Sequence, residues 1–143
     1  MTAAMSGILV IAHQNLAREL IRAAEHILGH EEPLLVGVDI GPEFPYEEAR
    51  DRIRAALDEV ITEEGAIILT DMYGGTPANL GMDFLDPGRV EVIAGVSLPM
   101  LVRLLTYRSR SLEEQVQKAL EGGWEGIVLG RNRSLQHTPP GRA

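Results

Sequence analysis

Cysteine is absent from the 143 residues, which removes disulfide frameworks and thiolate metal sites from consideration. Aromatic residues make up only 4% of the chain, so a core has to be built from Leu, Ile, Val and Ala. No apolar run approaches the roughly 20 residues that a membrane-spanning helix needs. No signal-peptide pattern stands at the N-terminus, and a soluble, cytoplasmic protein is expected. Basic residues are the scarcer charge, 13 against 21 acidic, for a formal net charge of −8. Nucleic acid is thereby excluded as a main partner, because a phosphate backbone needs a basic face. An acidic surface does permit a basic protein partner.

What the chain does contain is enough apolar residue, 45% of it, for one domain around one core. That domain is expected over residues 1–130, with Met1 to Ser6 as a loose leader. Residues 131–143, with Pro139-Pro140-Gly141, read as a disordered tail. The run Gly7-Ile8-Leu9-Val10-Ile11-Ala12 has strand length and no polar break, as a strand buried on both faces would, and it ends at His13. Leu16, Leu20, Ala23, Ala24, Ile27 and Leu28 then repeat at helical spacing, and Gly29 can stop that helix. Further strands are read at Leu34 to Ile40, Gly65 to Asp71, Val90 to Val96 and, short and last, Gly126 to Gly130. Between them, helices are expected from about Tyr46 to Thr62, from Pro77 to Phe84 and, after Ser97-Leu98-Pro99, to about Tyr107. A final helix starts at a capping box of Ser111 and Glu114, with Leu112, Val116, Ala119 and Leu120 on its apolar face.

Strands alternating with helices specify an α/β protein: an open parallel sheet with right-handed crossovers and helices on both faces. Such sheets bind ligands beyond the carboxyl ends of their strands, at the point where crossovers diverge. With a flavodoxin-like strand order of 2-1-3-4, that point lies between the first and third strands. The first ends in His13 and the third in Asp71, so these two residues are predicted to meet there.

The stretch Ile68-Leu69-Thr70-Asp71-Met72-Tyr73-Gly74-Gly75-Thr76-Pro77 carries the second half of that prediction. A buried strand runs into a carboxylate, two glycines allow a tight turn, and Thr76 and Pro77 read as the N-cap and first residue of a helix. An ordinary βα turn would use similar residues; so would an anion seat at a helix start. With His13 beside it, the second use becomes specific. Asp71 accepting from one imidazole nitrogen would fix the tautomer and free the other nitrogen as a nucleophile. Backbone N–H groups after Gly74, with the Thr76 hydroxyl, would hold the oxygens of a phosphoryl group. No cluster of magnesium or zinc ligands is visible, and no cofactor is expected. His26 and His30 read as surface residues, and His137 falls in the tail. Met72 and Tyr73 line the site rim or simply pack, and Trp124 is expected to pack ahead of the last strand.

Three motifs in this order resemble one family: Ile8 to His13, Thr70 to Pro77, and Val92-Ile93-Ala94-Gly95-Val96-Ser97-Leu98-Pro99-Met100-Leu101. The chain resembles the mannose-type enzyme IIA domain of the phosphoenolpyruvate-dependent sugar phosphotransferase system from about Gly7 to Gly130. The resemblance implies a phosphotransferase in which His13 is phosphorylated on Nε2 by the carrier protein HPr. Asp71 would be its partner, and Thr76 would contact the phosphoryl group. The acceptor would be a separate IIB protein, with the membrane reached only through a IIC/IID permease. The resemblance also implies a homodimer in which Gly126 to Gly130 serve as an exchanged antiparallel fifth strand. Gln14 and Ser97 depart from the family pattern, which usually has glycine and asparagine there. Two alternatives remain at this stage: a regulatory sensor of phosphorylation state, and a receiver-like module phosphorylated on Asp71.

Overall fold

The unbroken apolar character of the first strand decides where the rest of the chain must go. In β1 (Gly7–His13) every residue from Gly7 to Ala12 is buried, which requires a strand on each side and a helical layer on each face. The computed structural model describes residues 5–132 and supplies both. β2 (Leu35–Ile40) and β3 (Ala66–Thr70) flank β1, and β4 (Val90–Ala94) lies outside β3, so the order is β2-β1-β3-β4 with all pairs parallel. The sheet and its helices have the α/β order read from the sequence.

Alternation along β1 splits the core in two. Ile8, Val10 and Ala12 pack with α1 (Leu16–Leu28), α4 (Leu98–Thr106) and α5 (Leu112–Glu125). Leu9 and Ile11 pack with α2 (Tyr46–Val60) and α3 (Thr76–Met82) on the opposite face. All of these side chains are aliphatic, as the shortage of aromatics requires. The apolar stripe of α2 is buried as its spacing dictates, through Ala49, Ile53, Ala56, Leu57 and Val60. That of α1 is rotated from expectation. Ala17, Leu20, Ile21, Ala24 and Leu28 face inward, whereas Leu16 and Ile27 are 43% and 55% exposed.

One expected element is missing. Residues 126–129 form a turn and irregular backbone and Gly130 opens a 3₁₀ turn, so no fifth strand forms, and Ile127, Val128 and Leu129 are exposed. The reason is physical: a strand exists only with a ladder partner, and none of the four strands runs beside this segment. α5 continues to Glu125 through Gly122 and Gly123, so Trp124 is a helical residue. The short 3₁₀ turn Gly130–Asn132 follows; the remainder of the expected tail, 133–143, lies outside the described residues.

At the amino-terminal end of the sheet, Arg108 performs a task that no sequence pattern announced. Its side chain is 5% exposed. Its guanidinium donates to the carbonyls of Pro33 (2.6 Å), Ser6 (2.8 Å) and Leu34 (3.3 Å) and lies 3.5 Å from the Glu32 carboxylate. One cation thus ties the α4–α5 connection to the entrances of β1 and β2. Beside it, the Ser6 hydroxyl donates to buried Gln115 (2.8 Å). Replacement of Arg108 by Met would strand these acceptors and is expected to cost about 2–4 kcal/mol in urea unfolding; an unchanged unfolding midpoint would contradict this role.

Candidate active site

The sheet register brings the two predicted residues together. Ile11 lies opposite Thr70 across β1 and β3, so the chain just beyond, His13 on one strand and Asp71 on the other, arrives at the same point. Alternation puts His13 on the Leu9 and Ile11 face, where α3 begins. Asp71 Oδ2 accepts twice from His13, from its backbone N–H at 2.9 Å and from Nδ1 at 2.7 Å. Oδ1 accepts from the Met72 N–H at 2.9 Å. A carboxylate has no proton to give, so the hydrogen of this pair resides on Nδ1. The Nε2 lone pair is left free in the neutral ring.

The imidazole lies against the glycine turn. A Cβ placed on Gly75 would stand 3.1 Å from His13 Cε1 and 3.6 Å from Nε2, so only glycine lets the ring take this place without a shift. Gly74 has φ +88, a backbone conformation that side-chain-bearing residues rarely adopt. The helix start differs by one residue from expectation. Gly75 is the N-cap, its carbonyl accepting from the Asn79 N–H at 2.9 Å, and Thr76 is the first helical residue. No side chain caps α3. The Gly75 N–H is used within the turn, donating to the Met72 carbonyl, and Pro77 has none to offer.

A second helix, α1, also starts at this end of the sheet, but its start is already occupied. Asn15 makes no side-chain cap. Instead Asp39, near the end of β2, accepts from the Arg18 N–H (3.3 Å) and from Arg18 Nε (2.7 Å). A carboxylate therefore sits where an anion would be drawn by the first turn of α1. Beside His13 a cleft of about 180 Å³ opens, lined by His13, Gln14, Ile40, Gly41, Pro42, Phe44 and Thr76. Sequence reading found His13 and Thr76 but missed the Ile40–Phe44 wall and the Asp39–Arg18 pair. The available signal was an acidic residue close to the end of a strand beside the first.

A family model described as the PTS system fructose IIA component, of the mannose class, matches residues 7–120. The chain belongs to this family. It is similar to the PTS system mannose-specific EIIAB component of Escherichia coli, 34% identical over 96% of this chain and 43% of that protein. The IIA chain thus spans less than half the length of that relative. It is also similar to the PTS system fructose-specific EIIA component of Bacillus subtilis, 28% identical over 73% of this chain and 71% of that one. Among solved structures, the PTS IIA protein associated with the fucose utilization operon of Streptococcus pneumoniae superposes with a TM-score of 0.78. It is 27% identical, over 94% of this chain and 99% of that one.

The two positions that the resemblance set apart, Ser97 and Gln14, have different structural meanings. Ser97 is the N-cap of α4, its Oγ accepting from the Met100 N–H at 3.2 Å, a task that asparagine performs equally. Gln14 has φ +54, in the left-handed region that favours glycine. Of the other residues considered for the site, Met72 and Tyr73 are 64% and 82% exposed. His26 is exposed. His30 is exposed as well and lies 3.2 Å from Glu32 at the far end of the sheet; His137 lies outside the described residues.

Burial works to raise the pKa of the Asp71 carboxyl. The hydrogen bonds from the His13 N–H and imidazole, the His13 charge and the Met72 N–H outweigh it and hold the carboxyl below its ordinary value. Asp71 ionisation therefore stabilises the fold fully above the ordinary carboxylate range, about 3.9, and this stabilisation is lost as pH falls through the depressed native value. Wild type is expected to be more stable than Asp71→Asn at neutral pH. Urea titrations should show that gap closing between about pH 5 and about pH 2; a gap that widens on acidification would contradict the assignment.

Proposed function

We propose that this IIA chain is a phosphocarrier of the sugar phosphotransferase system, with His13 as the residue that is phosphorylated. The observation that carries the reading is the 2.7 Å contact of Nδ1 with Asp71, which leaves Nε2 free beside the Gly74-Gly75-Thr76 turn. In the forward step the Nε2 lone pair attacks phosphorus on the phosphohistidine of HPr. A new N–P bond forms, the donor's N–P bond breaks, and its electron pair returns to the donor nitrogen. Positive charge grows on the His13 ring as it attacks, and the Asp71 carboxylate, 11% exposed, stabilises it through the Nδ1 hydrogen. In the onward step a nucleophile of the IIB component attacks phosphorus, the His13 Nε2–P bond breaks and its electron pair returns to Nε2.

The phosphoryl group is assigned to the start of α3. The Thr76 N–H and hydroxyl and the Ala78 N–H precede the first intrahelical acceptor bond and are oriented as a set. Gly74 shapes the turn and Gly75 admits the ring. No metal enters this proposal: oriented N–H groups meet the charge. The three hydrogen bonds that occupy Asp71 weigh against Asp71 as the phosphoacceptor.

The proposal extends to assembly and place. The exposed Ile127-Val128-Leu129 run supports a homodimer in which this segment finds its ladder partner on a second copy. Cytoplasmic location follows from HPr as donor. Contact with the membrane is assigned to a IIC/IID permease; among the described residues no helix is long and apolar enough to span one.

The test is labelling with phosphoenolpyruvate, enzyme I and HPr. His13→Ala is expected to abolish an acid-labile, alkali-stable label while still unfolding cooperatively as a folded protein; full labelling of that variant would overturn the proposal. A label that forms but passes to no IIB component would point to the regulatory role. Gly75→Ala, which crowds the ring by a few tenths of an ångström, is expected to slow labelling about tenfold, measured by quenched time courses.

A further inference from the structure

Gln14 follows the nucleophile directly and holds a conformation that would suit glycine better. Its φ is +54, and the conformation is imposed by the tertiary structure: the Gln14 N–H donates to the Ile40 carbonyl at the end of β2 (2.9 Å). Residues kept in such conformations without being glycine concentrate where the side chain has work to do. The Gln14 side chain is exposed and lines the cleft that also contains His13 and Thr76. Its carboxamide has no hydrogen-bond partner among the described residues.

The cleft is short of donors. A phosphoryl group on Nε2 brings about two negative charges beside the Asp71 carboxylate, in a chain of net charge −8. Among the described residues no Lys or Arg lines the cleft; Arg18, the nearest along the chain, is paired with Asp39. The helix start contributes less than usual, because α3 has only seven residues, Pro77 lacks an N–H and the Gly75 N–H is spent within its turn. The carboxamide of Gln14 carries two donors on a flexible stem at the cleft wall.

We infer that Gln14 is a phosphoryl ligand of this chain, its side-chain amide donating to the non-bridging oxygens of the group carried on His13 and thereby setting how strongly the chain retains it. The inference rests on His13 being the phosphorylated residue. It assigns to the departure at this position a gain of affinity for the phosphoryl group, obtained at the expense of backbone strain.

The experiment is the equilibrium of phosphoryl transfer between phospho-HPr and the intact chain, for wild type, Gln14→Gly and Gln14→Glu, with thermal unfolding alongside. Gln14→Gly relieves the left-handed conformation and is expected to melt no lower than wild type, yet to shift the equilibrium about tenfold toward phospho-HPr. Gln14→Glu keeps the size of the side chain but replaces donors by a negative charge, and a shift of about a hundredfold is expected. A purely structural role would move the melting temperature and not the equilibrium. Equilibria within twofold of wild type in both variants would overturn the inference while leaving His13 in place. Absence of any label on wild-type His13 would overturn both readings.

Discussion

The contact on which this end of the molecule depends is one carboxylate oxygen accepting twice from one residue. Asp71 Oδ2 takes the His13 backbone N–H and the His13 imidazole together. The backbone bond fixes where the β1 end stands relative to β3, and the side-chain bond fixes which way the ring turns and which nitrogen carries the hydrogen. Neither bond alone would do both. The carboxylate is itself held by the Met72 N–H, so the ring is oriented by a group that has little freedom of its own. In the proposed phosphocarrier role, a nucleophile presented in this way would lose little entropy on reaching a productive geometry.

Around that contact the structure distributes charge asymmetrically. Two helices begin at the switch point, and both first turns attract anions. One is neutralised from within, by Asp39 and its Arg18 partner; the other, at Gly75 and Thr76, has no capping side chain. In the proposed function, this difference would direct a transient anion to one side of His13. It also explains why acidic residues can be abundant in a protein that is proposed to handle phosphoryl groups. In that proposal the attraction is supplied by oriented backbone groups and a hydroxyl, not by net charge, and an acidic surface permits a basic partner.

The opposite end of the sheet is held by different means. There Arg108 gathers three carbonyls that enter β1 and β2, close to buried Ser6 and Gln115. A polar network of this kind specifies the relative height of neighbouring strands more sharply than aliphatic packing does. Strand height is what the site needs, because a slip of one residue between β1 and β3 would turn His13 to the other face of the sheet.

By itself the sequence determined the order and type of the elements, the aliphatic core and the strand ends on which chemistry had to fall. These follow from periodicity and composition, which act locally. It also pointed to the His13–Asp71 pair, because sheet topology carries both strand ends to one place. Tertiary structure decided the rest. The fifth strand failed because a strand needs a partner and no described strand runs beside this segment. Thr76 lost the cap position because the Gly75 carbonyl, one residue earlier, already closes the first helical bond. The α1 start received a carboxylate from a strand 21 residues away, and Gln14 was drawn into a left-handed turn by a carbonyl at the end of β2. Each of these depends on a contact between segments distant in the chain, and such contacts are fixed only when the ladder register is.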